Sequence, residues 1–87
     1  MAGIKKKAEI PLDIKKIGLR LRQLRKEKGF SNSDEFAYEY QLNRSQYGKY
    51  EAGSEDLRLS SLVKILEKLE IGLSDFFNED YDNIKLL

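Results

Sequence analysis

The chain contains no cysteine and no histidine, and it has a single proline among its 87 residues. Without thiols it cannot form a disulfide framework, and without either residue type it lacks the usual ligands of a zinc site. A catalytic pair of a nucleophile and a histidine is excluded in the same way. Apolar runs are only a few residues long, so the sequence predicts neither a membrane-spanning helix nor a signal peptide. We therefore expect a cytoplasmic protein.

Length and charge narrow the remaining possibilities. A chain of 87 residues that is 40% hydrophobic is sufficient for one small domain with a single core. The net charge is only +1, but residues 1–30 hold ten Lys or Arg against three acidic residues, whereas residues 31–87 hold six against twelve. Such segregation can turn a basic face to phosphates and an acidic face away from them, although a solvated helix surface would explain the same pattern.

The first part of the chain predicts a basic arm followed by an amphipathic helix. Residues 1–12 include three consecutive lysines, Lys5 to Lys7, and could follow a phosphate backbone or simply be solvated. From Ile14 onward, apolar residues recur every three or four positions until Gly29, where the helix should end. The folded domain is expected at residues 13–77, and residues 78–87 are expected to form a C-terminal tail.

The most informative run is residues 32–53, NSDEFAYEYQLNRSQYGKYEAG, because its apolar spacing predicts two short helices packed across a tight turn. The first helix should begin with Asn32 as its N-cap. The second should run from about Ser45 to Ala52, with Asn43 or Ser45 as its N-cap and Gly53 as its left-handed stop. The inward-facing positions of the pair are Phe36, Ala37, Tyr40, Tyr47 and Tyr50. Their helical spacing favours a core role over base stacking by the aromatic rings.

The second helix of this pair leaves polar or small residues on its outer faces. Arg44 has a planar guanidinium whose paired N–H donors suit guanine O6 and N7 in the major groove. The alternative is that Arg44 is an ordinary exposed surface arginine. Gln46 could read a base or contact a phosphate, and an ordinary solvated glutamine is an equal alternative. Gly48 costs about 1 kcal/mol in a helix relative to Ala, which either close approach of DNA or tight packing would explain.

A loop and two further helices are expected after the motif. Leu57 and Leu59 should lean on the core, and a fourth helix should be capped by Ser60 or Ser61 and ended by Gly72. Ser74 should cap a last short helix. The apolar residues beyond it could complete the monomer core or form a dimer surface: Phe76, Phe77 and the chain end from Ile84 to Leu87.

Four phrases of the sequence together resemble the Cro/repressor-type (XRE-like) helix-turn-helix family of bacterial and phage transcription regulators. They are LRQLRKEKGF, DEFA, NRSQYGKYEAG and LRLSSLVKILEKLEIGLSDFF, which lie between Leu21 and Phe77, and the resemblance extends over about Ile17 to Phe77. The resemblance implies an all-α domain of four or five helices whose recognition helix enters the major groove. One departure is Gln41, which stands in the turn where the family usually has Gly; a left-handed residue there would cost about 1 kcal/mol.

The resemblance also implies roles for individual residues. Contacts to bases are expected from Arg44, Ser45, Gln46 and Lys49. Contacts to phosphates are expected from Asn32, Ser33 and Asn43. It further implies a partly buried ion pair between Arg25 and Glu51 that would fix the angle of the recognition helix.

The sequence therefore predicts a regulator of transcription, most simply a repressor, that binds double-stranded DNA. Specific affinity from so small a domain normally needs two half-sites, so a homodimer is expected. The alternative is a protein-interaction module on the same fold, such as an antitoxin or anti-repressor, that binds DNA weakly. No enzyme activity, cofactor, metal or membrane association is predicted.

Overall fold

The computed structural model describes residues 10–85, and within them the chain forms five α-helices and one 3₁₀ turn. The helices are α1 (Leu12–Glu27), α2 (Ser33–Glu39), α3 (Arg44–Ala52), α4 (Leu59–Leu69) and α5 (Leu73–Phe76), and the 3₁₀ turn is Tyr81–Asn83. No strand occurs in this part of the chain, so the predicted all-α fold is confirmed. Residues 1–9, which include Lys5 to Lys7 of the expected arm, and the final residues Leu86 and Leu87 lie outside the described residues. The last residue of the expected arm, Leu12, is the first residue of α1.

The helices surround one hydrophobic core, to which α1 to α5 each contribute. The pair α2 and α3 packs against α1, which closes the motif from behind. The members with 2% of their surface exposed or less are Leu21, Phe36, Ala37, Tyr47, Leu62, Leu66 and Phe76. Burying a side chain of this size contributes about 1.5–3 kcal/mol each, so this core is the main source of stability.

Four of the helices end in the same way, with a left-handed residue followed by a residue whose N–H returns to a carbonyl five positions earlier. The left-handed residues are Gly29, Gln41, Gly53 and Glu70. The returning N–H groups belong to Phe30, Leu42, Ser54 and Ile71. This is the Schellman arrangement, in which an apolar residue just past the helix end commonly packs back on the helix. Three of the four residues that follow are apolar and pack against the core, so packing there offsets the strain at the non-glycine positions.

Several expected helix ends differ from those observed. Helix α4 begins at Leu59, and its N-cap is Arg58 rather than Ser60 or Ser61. The Arg58 side chain makes no capping hydrogen bond. It ends at Leu69 with Glu70 in the left-handed region, before Gly72, because Ile71 must reach the core. Leu59 is 67% exposed rather than buried.

The last α-helix also begins earlier than expected. Gly72, not Ser74, is the N-cap of α5. Phe76 is completely buried, so it belongs to the monomer core and not to a dimer surface, whereas Phe77 remains 40% exposed.

The end of α5 is held by a side chain from α1. Arg20 is 7% exposed, and its guanidinium donates to the carbonyls of Phe76 and Asp75 at 2.8 Å each. These carbonyls end the helix and have no intrahelical partner, so a cation that donates to both satisfies them. The 3₁₀ turn lies on the same side, where the Tyr81 hydroxyl donates to the Asp13 carbonyl at 3.3 Å. Part of the segment expected as a tail is thus packed on α1.

Candidate nucleic-acid interface

The outer face of α3 carries three exposed polar side chains, Arg44, Ser45 and Lys49. Arg44 is the first residue of α3 and forms no ion pair with any of residues 10–85. A cation at the positive end of a helix dipole is locally unfavourable, and the first turn of α3 contains no acidic residue that could compensate. Arg44 is therefore an exposed cation at an unfavourable end of the helix, without an ion pair in the described residues that would offset this cost.

The inner face of α3 is fixed by aromatic packing. Tyr47 is 1% exposed, and its ring centroid lies 5.3 Å from that of Phe36 on α2. Its hydroxyl is buried without a hydrogen-bond partner among the described residues. Burial, followed by the influence of the Glu51 carboxylate, raises the pKa of Tyr47 far above its ordinary value, so the residue is neutral and structural.

The contact between α1 and the end of α3 depends on Gly18, which sequence reasoning missed. A methyl group at this position would lie 2.7 Å from the Glu51 carbonyl oxygen and closer still to that of Tyr50. Only glycine lets the backbones of α1 and α3 approach each other this closely. A glycine in the interior of an otherwise regular amphipathic helix is the signal that could have identified it.

Arg25 and Glu51 form a two-pronged ion pair behind α3. The Nε and Nη2 atoms of Arg25 donate to the two carboxylate oxygens of Glu51 at 2.8 and 3.1 Å. Their side chains are only 6% and 9% exposed, and Nη1 also donates to the Phe30 carbonyl at 2.9 Å. The hydrogen bond to Glu51 is the main cause that raises the pKa of Arg25. One guanidinium thus ties α1, the loop before α2 and the last turn of α3 together, which sets the angle of α3.

The residues expected at phosphates lie at the N-termini of α2 and α3. Asn32 and Asn43 are the N-caps, and their side-chain oxygens each accept a backbone N–H at 2.8 Å. These bonds use the side-chain oxygens and leave the amide nitrogens to donate elsewhere. Ser33 lies beside α3, since a methyl group added at Gly48 would be 3.8 Å from its hydroxyl oxygen. That distance is ordinary contact, so packing within the chain does not require glycine at position 48.

Gln46 and Lys49 meet a carboxylate from the loop after α3, which sequence reasoning also missed. Gln46 donates from Nε2 to Oε1 of Glu55 at 2.7 Å, and the Lys49 ammonium lies 3.5 Å from Oε2 of the same residue. The structure therefore brings two of the expected base-contacting residues together through a third residue. A glutamate nine and six positions further along has no helical relation to them, so spacing alone could not indicate the contact.

Other kinds of site find little support in residues 10–85. They contain no group of three or more His, Cys, Asp or Glu side chains arranged to hold a metal ion. Among the described helices, none combines the length and apolar character needed to cross a bilayer.

Comparison with known proteins agrees with this geometry. A family model described as a helix-turn-helix domain matches residues 18–81. The chain belongs to this family. The predicted class of function, a DNA-binding regulator of transcription of the Cro/repressor type, is thereby confirmed.

Two relatives carry more specific descriptions. The chain is 38% identical over 68 residues to the control protein C.MunI from Mycoplasma sp, a match that covers 77% of this chain and 92% of the relative. It is similar, with a TM-score of 0.65 and 33% identity, to the crystal structure of the restriction-modification controller protein C.AhdI from Aeromonas hydrophila. That match covers 77% of this chain and all of the other.

Proposed function

We propose that this helix-turn-helix protein represses transcription by placing α3 in the major groove of a specific operator. The observation that carries the proposal is the outer face of α3, where Arg44, Ser45 and Lys49 are exposed while Tyr47 and Glu51 anchor the helix from behind. Arg44 reads guanine through its two-pronged fork, and Ser45, Gln46 and Lys49 contact neighbouring base edges. The backbone and side chains of Asn32, Ser33 and Asn43 contact the flanking phosphates and set the register.

The names of two relatives support a proposal for the regulated genes. Because one similar protein is called a control protein and another a restriction-modification controller, this chain is proposed to control genes of a restriction-modification system.

Binding is proposed to require a homodimer, because one domain of this size offers a small interface and two half-sites raise both affinity and specificity. Among the exposed apolar residues, we assign the dimer contact to Leu73 and Phe77, which are 48% and 40% exposed at the two ends of α5. The double substitution Leu73→Ser, Phe77→Ser should shift the protein from dimer toward monomer, as measured by analytical sedimentation. The matched control is Tyr38→Ser, which removes a ring that is 74% exposed on α2 and should leave the dimer intact.

Selection of bound sequences from a random duplex DNA pool tests the proposed reading by α3. The parent should enrich a pseudo-palindrome with two half-sites about one helical turn apart. The variant Arg44→Ala, Lys49→Ala should lose that enrichment. A control with the same loss of charge is Lys26→Ala, Lys85→Ala, since both lysines are exposed and line a groove that contains no α3 residue.

Two outcomes would contradict the proposal. If both double variants lost enrichment to the same extent, the overall positive charge of the protein, and not the outer face of α3, would be responsible for binding. Absence of enrichment by the parent, with weak binding that disappears steeply with salt, would favour the protein-interaction module on this fold.

A further inference from the structure

The carboxylate of Glu55 is an unexpected group on a surface that faces phosphates. It lies in the loop directly after α3, its side chain is 41% exposed, and it contacts both Gln46 and Lys49. A negative charge at this place opposes DNA binding in general, because it repels phosphates and neutralises the nearest lysine. Its contacts nevertheless organise the part of α3 that meets bases.

The contact with Gln46 fixes which way the side-chain amide is turned. A carboxylate can only accept hydrogen bonds, so the amide nitrogen of Gln46 must face Glu55, as the distance of 2.7 Å shows. The amide nitrogen carries two N–H groups, so one is committed to Glu55 while the carbonyl oxygen and the second N–H remain for DNA. A free glutamine can turn its amide so that both groups meet adenine, accepting from N6 and donating to N7, whereas a glutamine held by Glu55 presents its oxygen and one N–H in a single fixed orientation.

The contact with Lys49 has a different consequence. Its ammonium is 3.5 Å from the second oxygen of Glu55, so part of its charge is already balanced within the protein. Lysine attracts any phosphate regardless of sequence, and a balanced lysine contributes less to nonspecific binding. Specificity is the ratio of specific to nonspecific affinity, so a weaker nonspecific term raises it.

We propose that Glu55 is a positioning residue for DNA specificity: it fixes the orientation in which the Gln46 amide meets a base edge and reduces the nonspecific attraction of Lys49. This inference rests on the proposed function, since it requires that α3 reads an operator. Amino groups in the major groove belong to adenine N6 and cytosine N4, and these are the groups that the Gln46 carbonyl oxygen would contact.

Two substitutions of Glu55 separate the two effects. Glu55→Ala releases both partners, so the Gln46 amide can turn and the base preference at one position of each half-site should change by about fivefold or more, the size of one bidentate contact. Glu55→Gln keeps an oxygen that accepts the Gln46 amide but removes the charge, so the base preference should stay as in the parent. In both variants the slope of log affinity against log salt should become steeper by about one per protomer, from the released Lys49 charge.

The neighbouring residue provides a matched control. Asp56 is exposed and forms no ion pair with any of the residues that the structure describes. Asp56→Ala and Asp56→Asn therefore remove the same charge from the same loop without releasing Gln46 or Lys49. Thermal unfolding of all four variants should match the parent, because exposed ion pairs contribute little to stability.

Binding to the selected operator, to operators with each half-site base changed, and to an unrelated duplex distinguishes the outcomes. A change of base preference in Glu55→Ala alone, with a steeper salt slope in both Glu55 variants, supports the inference. If the parent binds its operator specifically but Glu55 and Asp56 variants behave alike, Glu55 is an ordinary surface acid and the inference is wrong, while the proposed function stands. If the parent shows no specific binding, both are wrong.

Discussion

Replacing Glu51 by glutamine tests the structural basis of the recognition helix most directly. The substitution keeps the size and shape of the side chain but removes the charge that faces Arg25. The guanidinium would remain almost fully buried, with the Phe30 carbonyl at 2.9 Å as its remaining strong acceptor. Because a buried charge without its counter-charge is costly, the folded state should lose much more than the energy of one hydrogen bond.

The expected size follows from this burial. Breaking a buried ion pair by removing one partner costs about 3–5 kcal/mol. A domain of 87 residues has a free energy of unfolding of about 4–13 kcal/mol, so Glu51→Gln should come close to unfolding the protein. In contrast, Arg25→Met with Glu51→Leu replaces both charges by apolar groups, and it should lose far less than the single variant because no charge is left unpaired.

Urea denaturation followed by helical circular dichroism measures these differences. The control is Asp82→Asn, which removes a carboxylate that is 94% exposed and 3.9 Å from the Lys16 ammonium; it should change the free energy of unfolding by less than about 1 kcal/mol. A loss in Glu51→Gln no larger than in this control would refute the reasoning that the buried pair holds α3. So would a double variant that is less stable than Glu51→Gln.

Four further substitutions have expected outcomes. Gly18→Ala should destabilise the fold by about 1–3 kcal/mol in urea denaturation, although alanine favours helix, because its methyl group would overlap the end of α3. Tyr47→Phe removes an unpartnered hydroxyl, so stability at neutral pH should be unchanged or about 1 kcal/mol higher. Since burial raises the folded-state pKa of Tyr47 above the unfolded value of about 10, the parent should lose stability as pH rises past 10, and the Phe variant should lose less, in unfolding measured across alkaline pH. Glu70→Gly should raise the free energy of unfolding by about 0.5–1 kcal/mol, and with it the melting temperature, because glycine adopts the left-handed conformation without strain. A lower melting temperature would contradict this account. Arg44→Glu should stabilise the isolated protein by about 0.3–1 kcal/mol at low salt while abolishing operator binding, and a stability loss would show that the arginine has a structural partner.

The sequence predicted the motif well because its signals are local. The spacing of apolar residues located α2 and α3, and Asn32 marked the N-cap of α2. Asn43, the N-cap of α3, was one of the two candidates there beside Ser45. Glycine marked two of the left-handed helix ends, at Gly29 and Gly53. Each of these signals depends on residues within one or two turns of helix, where propensity and capping act directly.

The other two left-handed ends show where residue type is insufficient. Gln41 and Glu70 have no preference for that conformation, yet each precedes an apolar residue that packs on the core, Leu42 or Ile71. Packing of that partly buried side chain offsets the strain, which is about 1–2 kcal/mol per residue. Prediction from residue type placed the end of α4 at Gly72, whereas attention to Ile71, which packs against the core, would have moved it to the observed position.

Contacts between distant parts of the chain could not be predicted from spacing. Arg20 holds the end of α5 across 55 and 56 positions, and Gly18 admits a backbone that is more than thirty residues away. Glu55 reaches Gln46 and Lys49 only because the chain reverses at Gly53. Arg20 and Glu55 carry no local signature, since an arginine or a glutamate can occupy many helix or loop positions without such a role. Gly18 stands out as a glycine inside a helix, but its position does not indicate which backbone approaches it.

The residues of this chain that are locally unfavourable for folding are of two kinds, and only one kind indicates function. The strained backbone at Glu70 is offset by packing of the next residue, so folding alone accounts for it. Arg44 opposes the dipole of α3 and Gly48 lowers its helix propensity, and neither has a compensating contact in the described residues. Both lie on the one helix that α1 and α2 hold rigidly from behind. Residues that cost folding free energy without a compensating contact in the protein are expected where a bound partner supplies the contact, which supports the proposal that this surface of α3 binds DNA.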